Sequence, residues 1–336
     1  MLTTFYHPRY AAPIGEHIMP IRKFGLVAEA LAGAGDVRLV EPIPVGLVDL
    51  LRVHTQEYID AVRTGEPRAL AESQRFPWSP ELFPSVCLTS GGCLAAARQA
   101  LSDGTSSALV SGFHHSCADH GEGFCTFNGL AITADTLLAE GSAKRVAVLD
   151  MDLHYGNGTA QLVSKRPHMF QLSIYGNDYW ANVPYRDVTT RHHEDGPNHH
   201  SAALPAQCDR ATMLSIMDQT LPLIAEWKPD LLLYQAGADP YFEDPYSPLL
   251  LDHSDLRARD ERVFRFEGSS RPGGLGAGRR LYKGHRQSSR CAPRDVRRVA
   301  RGSREASRVN PSFPGSFIRV HCDGSKLPGS DDRRTG

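Results

Sequence analysis

The chain has 336 residues, 41% hydrophobic and 22% charged, with a formal net charge of −1. That is enough apolar material for one large α/β domain and too much for global disorder. The near-neutral balance argues against a chain that works as a whole on nucleic acid or a membrane surface. No run approaches the ~18 apolar residues of a membrane span, and Met1–Pro8 lacks the basic head and apolar run of a secretory leader.

In chain order, the first clear helical pattern covers about 80–101, with Ser79 as N-cap and Pro80 in its first position. An apolar strand follows at Ser107–Val110, then a helix at 129–140 and a strand at Arg145–Asp150. A helix at 157–164, a strand at Met169–Ile174, a helix at 211–227 ending before Pro229, a strand at Leu231–Gln235 and a helix at 254–266 complete the alternation. Continuous apolar strands between amphipathic helices predict a three-layer α/β/α domain with a mostly parallel sheet. Ligands in such folds bind beyond the carboxyl ends of the strands. Seven Cys, with no Cys-x-x-Cys pair, fit reduced thiols and a cytoplasmic address.

Chemistry-bearing residues gather at those strand ends. Asp150, Asp152 and His154 alternate, so extended backbone turns them to one face. A carboxylate and an imidazole two residues apart can grip one divalent metal, although the same pattern also occurs in polar strand ends without a ligand. The strand Leu231–Gln235 leads through Ala236-Gly237-Ala238 to Asp239, a second ligand candidate that could equally cap a turn. Two carboxylates and one His leave a position open for water, the pattern of catalytic rather than structural zinc. His114 and His115 follow the strand Ser107–Val110, where one imidazole could take a proton from water and the other stabilise charge. The pair His199-His200 lies in a Gly/Asn-rich stretch and reads as a surface turn. Phe124, in Gly121-Glu122-Gly123-Phe124-Cys125, could wall a narrow apolar channel or simply pack in the core.

Together, His114-His115, Gly123-Phe124-Cys125-x-Phe127-Asn128, Asp150-x-Asp152-x-His154-x-Gly156-x-Gly158 and Gly237-Ala238-Asp239 resemble the zinc-dependent histone deacetylase family. The likeness covers roughly residues 5–266, including Val53-His54-x-x-x-Tyr58-Ile59 and Phe76-Pro77-Trp78-Ser79-Pro80, and is nearest the bacterial and class IV-type branch. It implies an arginase–deacetylase fold and Zn2+ held by Asp152, His154 and Asp239. It also implies His114 paired with Asp150 and His115 as general base. Asn157 stands where the family commonly has Asp, and a neutral amide raises the pKa of a neighbouring His less than a carboxylate does. Gly123 and Phe124 would line the substrate tunnel, with Tyr179 or Trp180 as looser candidates for the opposite wall. The implied reaction is hydrolysis of acyl-lysine amides in protein; a small acylated amine such as an acetylpolyamine uses the same machinery. A binuclear ureohydrolase is disfavoured, because Tyr155 and Asn157 stand where further carboxylates would be needed.

The likeness breaks after Phe266, where the family expects a strand and then Gly-Gly-Tyr, whose hydroxyl donates to the oxyanion. Residues 267–336 carry a formal charge of +10 against −11 for 1–266, are rich in Arg, Gly and Ser, and lose apolar periodicity. The chain therefore divides into a catalytic-type domain, 1–266, and a basic tail, 267–336. The tail can be a solvated arm or a nucleic-acid arm of a metal-binding pseudoenzyme, but a third reading explains more. Read one nucleotide later with allowed codons, residues 272–281 can encode Pro-Val-Ala-Trp-Val-Leu-Ala-Gly-Gly-Tyr, and 282–286 Thr-Lys-Asp-Ile-Gly. A frameshift between about 266 and 271 would remove the last part of the sheet and the oxyanion loop, and Tyr282 would not be its tyrosine.

Overall fold

The structure is a computed structural model and describes residues 1–15, 19, 21–177, 195–269 and 317–322. Its centre is an eight-stranded sheet in the order β2-β1-β3-β8-β7-β4-β5-β6. The strands are β1 (Leu2–Phe5), β2 (Val37–Val40), β3 (Thr105–Ala108), β4 (Val146–Asp150), β5 (Met169–Tyr175), β6 (His199–Ala203), β7 (Leu231–Ala236) and β8 (Phe317–Cys322). All neighbouring pairs are parallel except those of β8, which is antiparallel to both β3 and β7.

The continuous apolar runs of β4 and β7 arise because both faces of the sheet are covered. Val146, Val148, Leu231 and Leu233 face one core, with the helices α5 (Leu82–Asp103) and α6 (Gly129–Ala139). Ala147, Leu149, Leu232 and Tyr234 face the other, with α8 (Arg210–Trp227) and α9 (His253–Ser269). Burying each Val or Leu contributes about 1.5–3 kcal/mol, so a register slip that exposed either set would be strongly disfavoured. The helix α7 (Asn157–Val163) follows β4 directly. Ahead of α5 lie α1 (Lys23–Ala32), α2 (Leu47–Leu51), α3 (Gln56–Thr64) and α4 (Arg68–Ala71).

Three local expectations are revised. Ser79 does not cap α5: its carbonyl accepts from Leu82 N at 3.0 Å to close a tight turn, and Glu81 occupies the N-cap position. His199 and His200 are not in a turn but open β6, a polar edge strand. There His200 packs its ring against Phe170 at 5.4 Å and Ser201 N donates to Asp195 Oδ1. Finally, the sequence leaves a strand missing from the sheet, and the structure places Phe317–Cys322 of the basic tail in the slot between β3 and β7. That hexapeptide has β-branched residues at alternate positions, Ile318 and Val320, a signal diluted by the Arg/Gly/Ser composition around it.

Candidate active site

β4 runs straight into Met151-Asp152-Leu153-His154, and its neighbour β7 runs into Gly237-Ala238-Asp239. Fully buried Asp150 accepts from Asp152 N through Oδ1 at 3.2 Å and faces His114 Nδ1 through Oδ2 at 2.7 Å. Beyond it, His154 Nδ1 lies 3.3 Å from Asp152 Oδ1 and 3.2 Å from Asp239 Oδ2. Asp152 Oδ1 also accepts from His154 N, and Asp239 Oδ1 from Leu153 N, each at 3.0 Å. Gly237 permits this approach, since a Cβ there would meet Asp152 Cα at 2.5 Å. Buried Arg259 of α9 ties the two strand ends together, donating from Nη1 to the carbonyls of Met151 (3.2 Å) and Gly237 (2.7 Å).

Asp152, His154 and Asp239 thus offer one ligand atom each within 4.8 Å of one another. Their chemistry fits a divalent cation, two carboxylates and an imidazole converging at partly buried positions. Without an ion, a proton takes its place. Burial pulls the His154 imidazole down, but Asp152 and Asp239 hold its proton and raise its pKa to about 10. Burial and the Asp152 charge push Asp239 up to about 6. Burial works against ionised Asp152 too, but the His114 and His154 charges and hydrogen bonds hold it well below the usual carboxylate range. Two outcomes are expected. In the metal-free chain, the stabilisation from His154 is fully present below its ordinary pKa of ~6.5 and fades as pH rises toward 10. Metal loading at pH 7 should release about one proton or more per ion, measurable with a pH indicator in weak buffer. Binding with no proton release would show that His154 is not a ligand.

His114 and His115 lie beside this cluster with ring centroids 3.9 Å apart. Their surroundings drive them apart. Burial lowers His114, but the Asp150 and Asp152 carboxylates outweigh it and lift the pKa to about 9. Burial and the neighbouring His114 and His154 push His115 well below its ordinary value. His115 Nδ1 meets Asn157 Oδ1 at 2.6 Å, a neutral partner that does little to counter that fall.

The loop carrying the pair is pinned from several sides. Thr159 N donates to His114 O at 2.9 Å, and Asn128 Nδ2 to Ser116 O at 3.2 Å. A Cβ on Gly158 would lie 2.4 Å from Ser116 O and 2.5 Å from His115 C, which is why glycine is needed there. His54 braces the same loop, bonding Cys117 O through Nδ1 at 2.9 Å while its Nε2 accepts from Asn128 N at 3.0 Å. Burial lowers its pKa to about 4, keeping it in the neutral form this bonding requires. Tyr58 adds a bond from its hydroxyl to Thr126 O at 2.7 Å.

Gly123 and Phe124 both adopt left-handed backbone, φ +49° and +63°. For Phe this costs on the order of 1–3 kcal/mol, and a 2.9 Å bond from Phe124 N to Gln74 O helps hold it. The Phe124 ring lies against Phe76 at 5.6 Å and lines an apolar cleft with Tyr10, Ile14 and Phe113. Asp152, His154 and Asp239 are not among the residues lining that cleft. Tyr179, Trp180 and Tyr282 lie outside the described residues.

Three neighbours were not read from the sequence. Tyr246 places its ring 6.4 Å from that of His154. Gln235 Oε1 accepts from Gly112 N at 3.0 Å, tying β7 to the His114 loop. Glu122 Oε2 accepts from Asn157 Nδ2 at 2.8 Å. Glu122 alone carried a signal, as an acid flanked by glycines within the Phe124 motif.

Residues 17–272 match the family model described as Histone deacetylase domain. An uncharacterized protein of Picosynechococcus is 30% identical over 264 residues, covering 77% of this chain and 84% of that protein. Histone deacetylase 2 of Arabidopsis thaliana is 26% identical over 261 residues, 74% of this chain and 65% of that protein's length. The crystal structure of an HDAC homolog from Aquifex aeolicus superposes with a TM-score of 0.66 at 21% identity, covering 79% of this chain and 76% of that one, and shares the fold.

Proposed function

Because the chain belongs to the histone deacetylase family, whose members are deacetylases and amidohydrolases, we propose that it hydrolyses acyl-lysine amides with zinc at Asp152, His154 and Asp239. The observation that carries this reading is the buried His114–His115 pair beside the ligand cluster, with His114 Nδ1 2.7 Å from the Asp150 carboxylate and His115 Nδ1 2.6 Å from the neutral Asn157 amide, since a carboxylate partner favours a charged imidazole and an amide partner a neutral one.

Zinc held there would supply a Lewis acid that polarises the amide carbonyl and the attacking water. His115, neutral at pH 7 and with Nδ1 engaged by Asn157, takes a proton from that water at Nε2. His114, held as an imidazolium by Asp150, stabilises the negative charge that develops and is placed to protonate the departing amine. Water adds to the carbonyl carbon, the C–N bond breaks, and a carboxylate and an amine are released. Phe124 and Gly123 flank the acyl-amine chain in this reading. The five free, buried cysteines among the described residues support a reducing, cytoplasmic setting, and no described helix is long and apolar enough to cross a membrane.

The basic tail lacks the Gly-Gly-Tyr that would donate to the oxyanion, so we also propose that this chain is an impaired form of the enzyme. The test is a panel of acyl-lysine peptides and acetylpolyamines, offered to zinc-loaded chain with and without the tail re-read in the +1 frame. Hydrolysis of the small amines alone would favour an acetylpolyamine amidohydrolase. In the re-read chain, His115→Ala should lower kcat by roughly 10²-fold or more while leaving metal content intact. A near-normal kcat would move the base to another residue, with His114 next to test.

A further inference from the structure

The bond from His115 does not end at Asn157. A chain of polar groups runs on to the surface. Asn157 Nδ2 donates to Glu122 Oε2 at 2.8 Å. Glu122 Oε1 meets His120 Nε2 at 3.1 Å, and His120 Nδ1 meets Asp119 Oδ1 at 2.7 Å. Side-chain exposure rises outward, from 21% at Glu122 through 37% at His120 to 68% at Asp119.

We propose that Glu122 is a positioning residue for the general base, one that fixes the tautomer of His115 by fixing the orientation of the Asn157 amide. This rests on the functional reading above, in which His115 accepts a proton at Nε2. The two ends of an Asn amide have nearly the same shape and opposite bonding roles. With the carbonyl toward His115, Nδ1 must carry the hydrogen and Nε2 keeps its lone pair. With the NH2 toward His115, Nδ1 must be the acceptor, Nε2 carries the hydrogen, and the base is blocked. A carboxylate at position 157 would have no such ambiguity, because an ionised carboxylate only accepts. Asn157 is an amide, and Glu122 supplies the missing asymmetry. Its carboxylate can bond only the NH2 end, which turns Oδ1 onto His115.

The surroundings of Glu122 are built for that task. Its carbonyl accepts from Cys125 N at 2.7 Å, and the next residue, Gly123, takes φ +49°. A Cβ on Gly121 would lie 2.5 Å from the Tyr58 hydroxyl and 2.7 Å from Cys125 O. The Gly-Glu-Gly turn is therefore pressed against the loop floor, and its one functional side chain points back at Asn157. His120 meets a carboxylate through each ring nitrogen, Asp119 at Nδ1 and Glu122 Oε1 at Nε2, which anchors the outer oxygen of Glu122 and leaves Oε2 for Asn157.

The test reads the tautomer directly. Two-bond 1H–15N correlation spectra of the full-length, zinc-loaded chain distinguish Nδ1–H from Nε2–H imidazole, with His115→Gln to assign the signal. In the parent chain His115 should be Nδ1-protonated with a bare Nε2. Glu122→Met removes the acceptor at similar size, and His115 should shift wholly or partly to Nε2–H. Adding Asn157→Asp to Glu122→Met should restore the parent pattern. A folded Glu122→Met chain that keeps the parent pattern, or a double variant that does not regain it, overturns the proposal. If Glu122→Met does not fold, Glu122→Gln carries the test. Its amide oxygen can still accept from Asn157 only if His120 gives up its Nε2 proton; otherwise its NH2 faces Asn157 and turns that amide over, so the change should appear at His120 or at His115. The parent pattern at both histidines overturns the proposal. In the +1-frame chain, Glu122→Met should lower kcat roughly tenfold with KM little changed, part of the 10²–10⁴ a positioned base contributes, and Asn157→Asp should recover it. Absence of hydrolysis in every variant would count against the functional reading, while the tautomer still decides the role of Glu122.

Discussion

Asp152→Ala and Asp239→Ala should each leave a folded chain that retains no stoichiometric zinc after dialysis and hydrolyses no acylated amine. The expectation follows from the cluster's small ligand set: one ligand of the three is lost, and each carboxylate comes from a different strand end, so neither can replace the other. Changes to residues that merely orient ligands typically cost about 10–100-fold in affinity, and loss of a ligand should exceed that. The fold should tolerate both substitutions, because the strand ends remain tied by Arg259 and the cores on the two sheet faces are untouched. Emission spectrometry of dialysed protein gives the count. Full metal in both variants would refute the assignment, whereas loss in only one would show that the other carboxylate serves another purpose.

Re-reading the tail in the +1 frame should raise both activity and melting temperature. The family match runs to residue 272, and the proposed break falls between about 266 and 271. After β7, α9 leads back across one face of the sheet, and a right-handed crossover puts the next parallel strand beside β7. One side of β7 is taken by β4, so the slot is the one that β8 fills in antiparallel sense. A strand Pro-Val-Ala-Trp-Val-Leu-Ala would run parallel there and end at the ligand face of the sheet, delivering Gly-Gly-Tyr to the metal centre. One oxyanion donor is worth on the order of 10²–10³ in kcat, which sets the expected gain. Equal activity and equal melting temperature in the two versions would show that 267–336 completes the site by its own route, with Tyr282 the first residue to test.

Much of this architecture is legible because burial writes itself into sequence. β4 and β7 are buried on both faces, so Val146–Leu149 and Leu231–Leu233 are unbroken apolar runs that no solvent-facing strand would carry. The chemistry then stands out as the first charged residues beyond each run. β1 and β2 are not legible for the opposite reason: four residues each, they are too short to establish a period. β6 is a half-buried edge strand opened by two histidines, and polar edge strands look like turns. Glu122 stands in a quoted motif, but its meeting with Asn157 joins residues 35 apart in sequence, a contact that only the folding of the His114 loop against α7 creates.

The most direct test of the account is acetate release from an acetyl-lysine peptide by the +1-frame chain, assayed as purified, after chelation and after zinc is added back. Hydrolysis should be lost on chelation, return with zinc, and be absent from Asp152→Ala and Asp239→Ala under all three conditions. Hydrolysis that survives chelation, or a zinc-saturated folded chain that releases no acetate from any acylated amine offered, would contradict it.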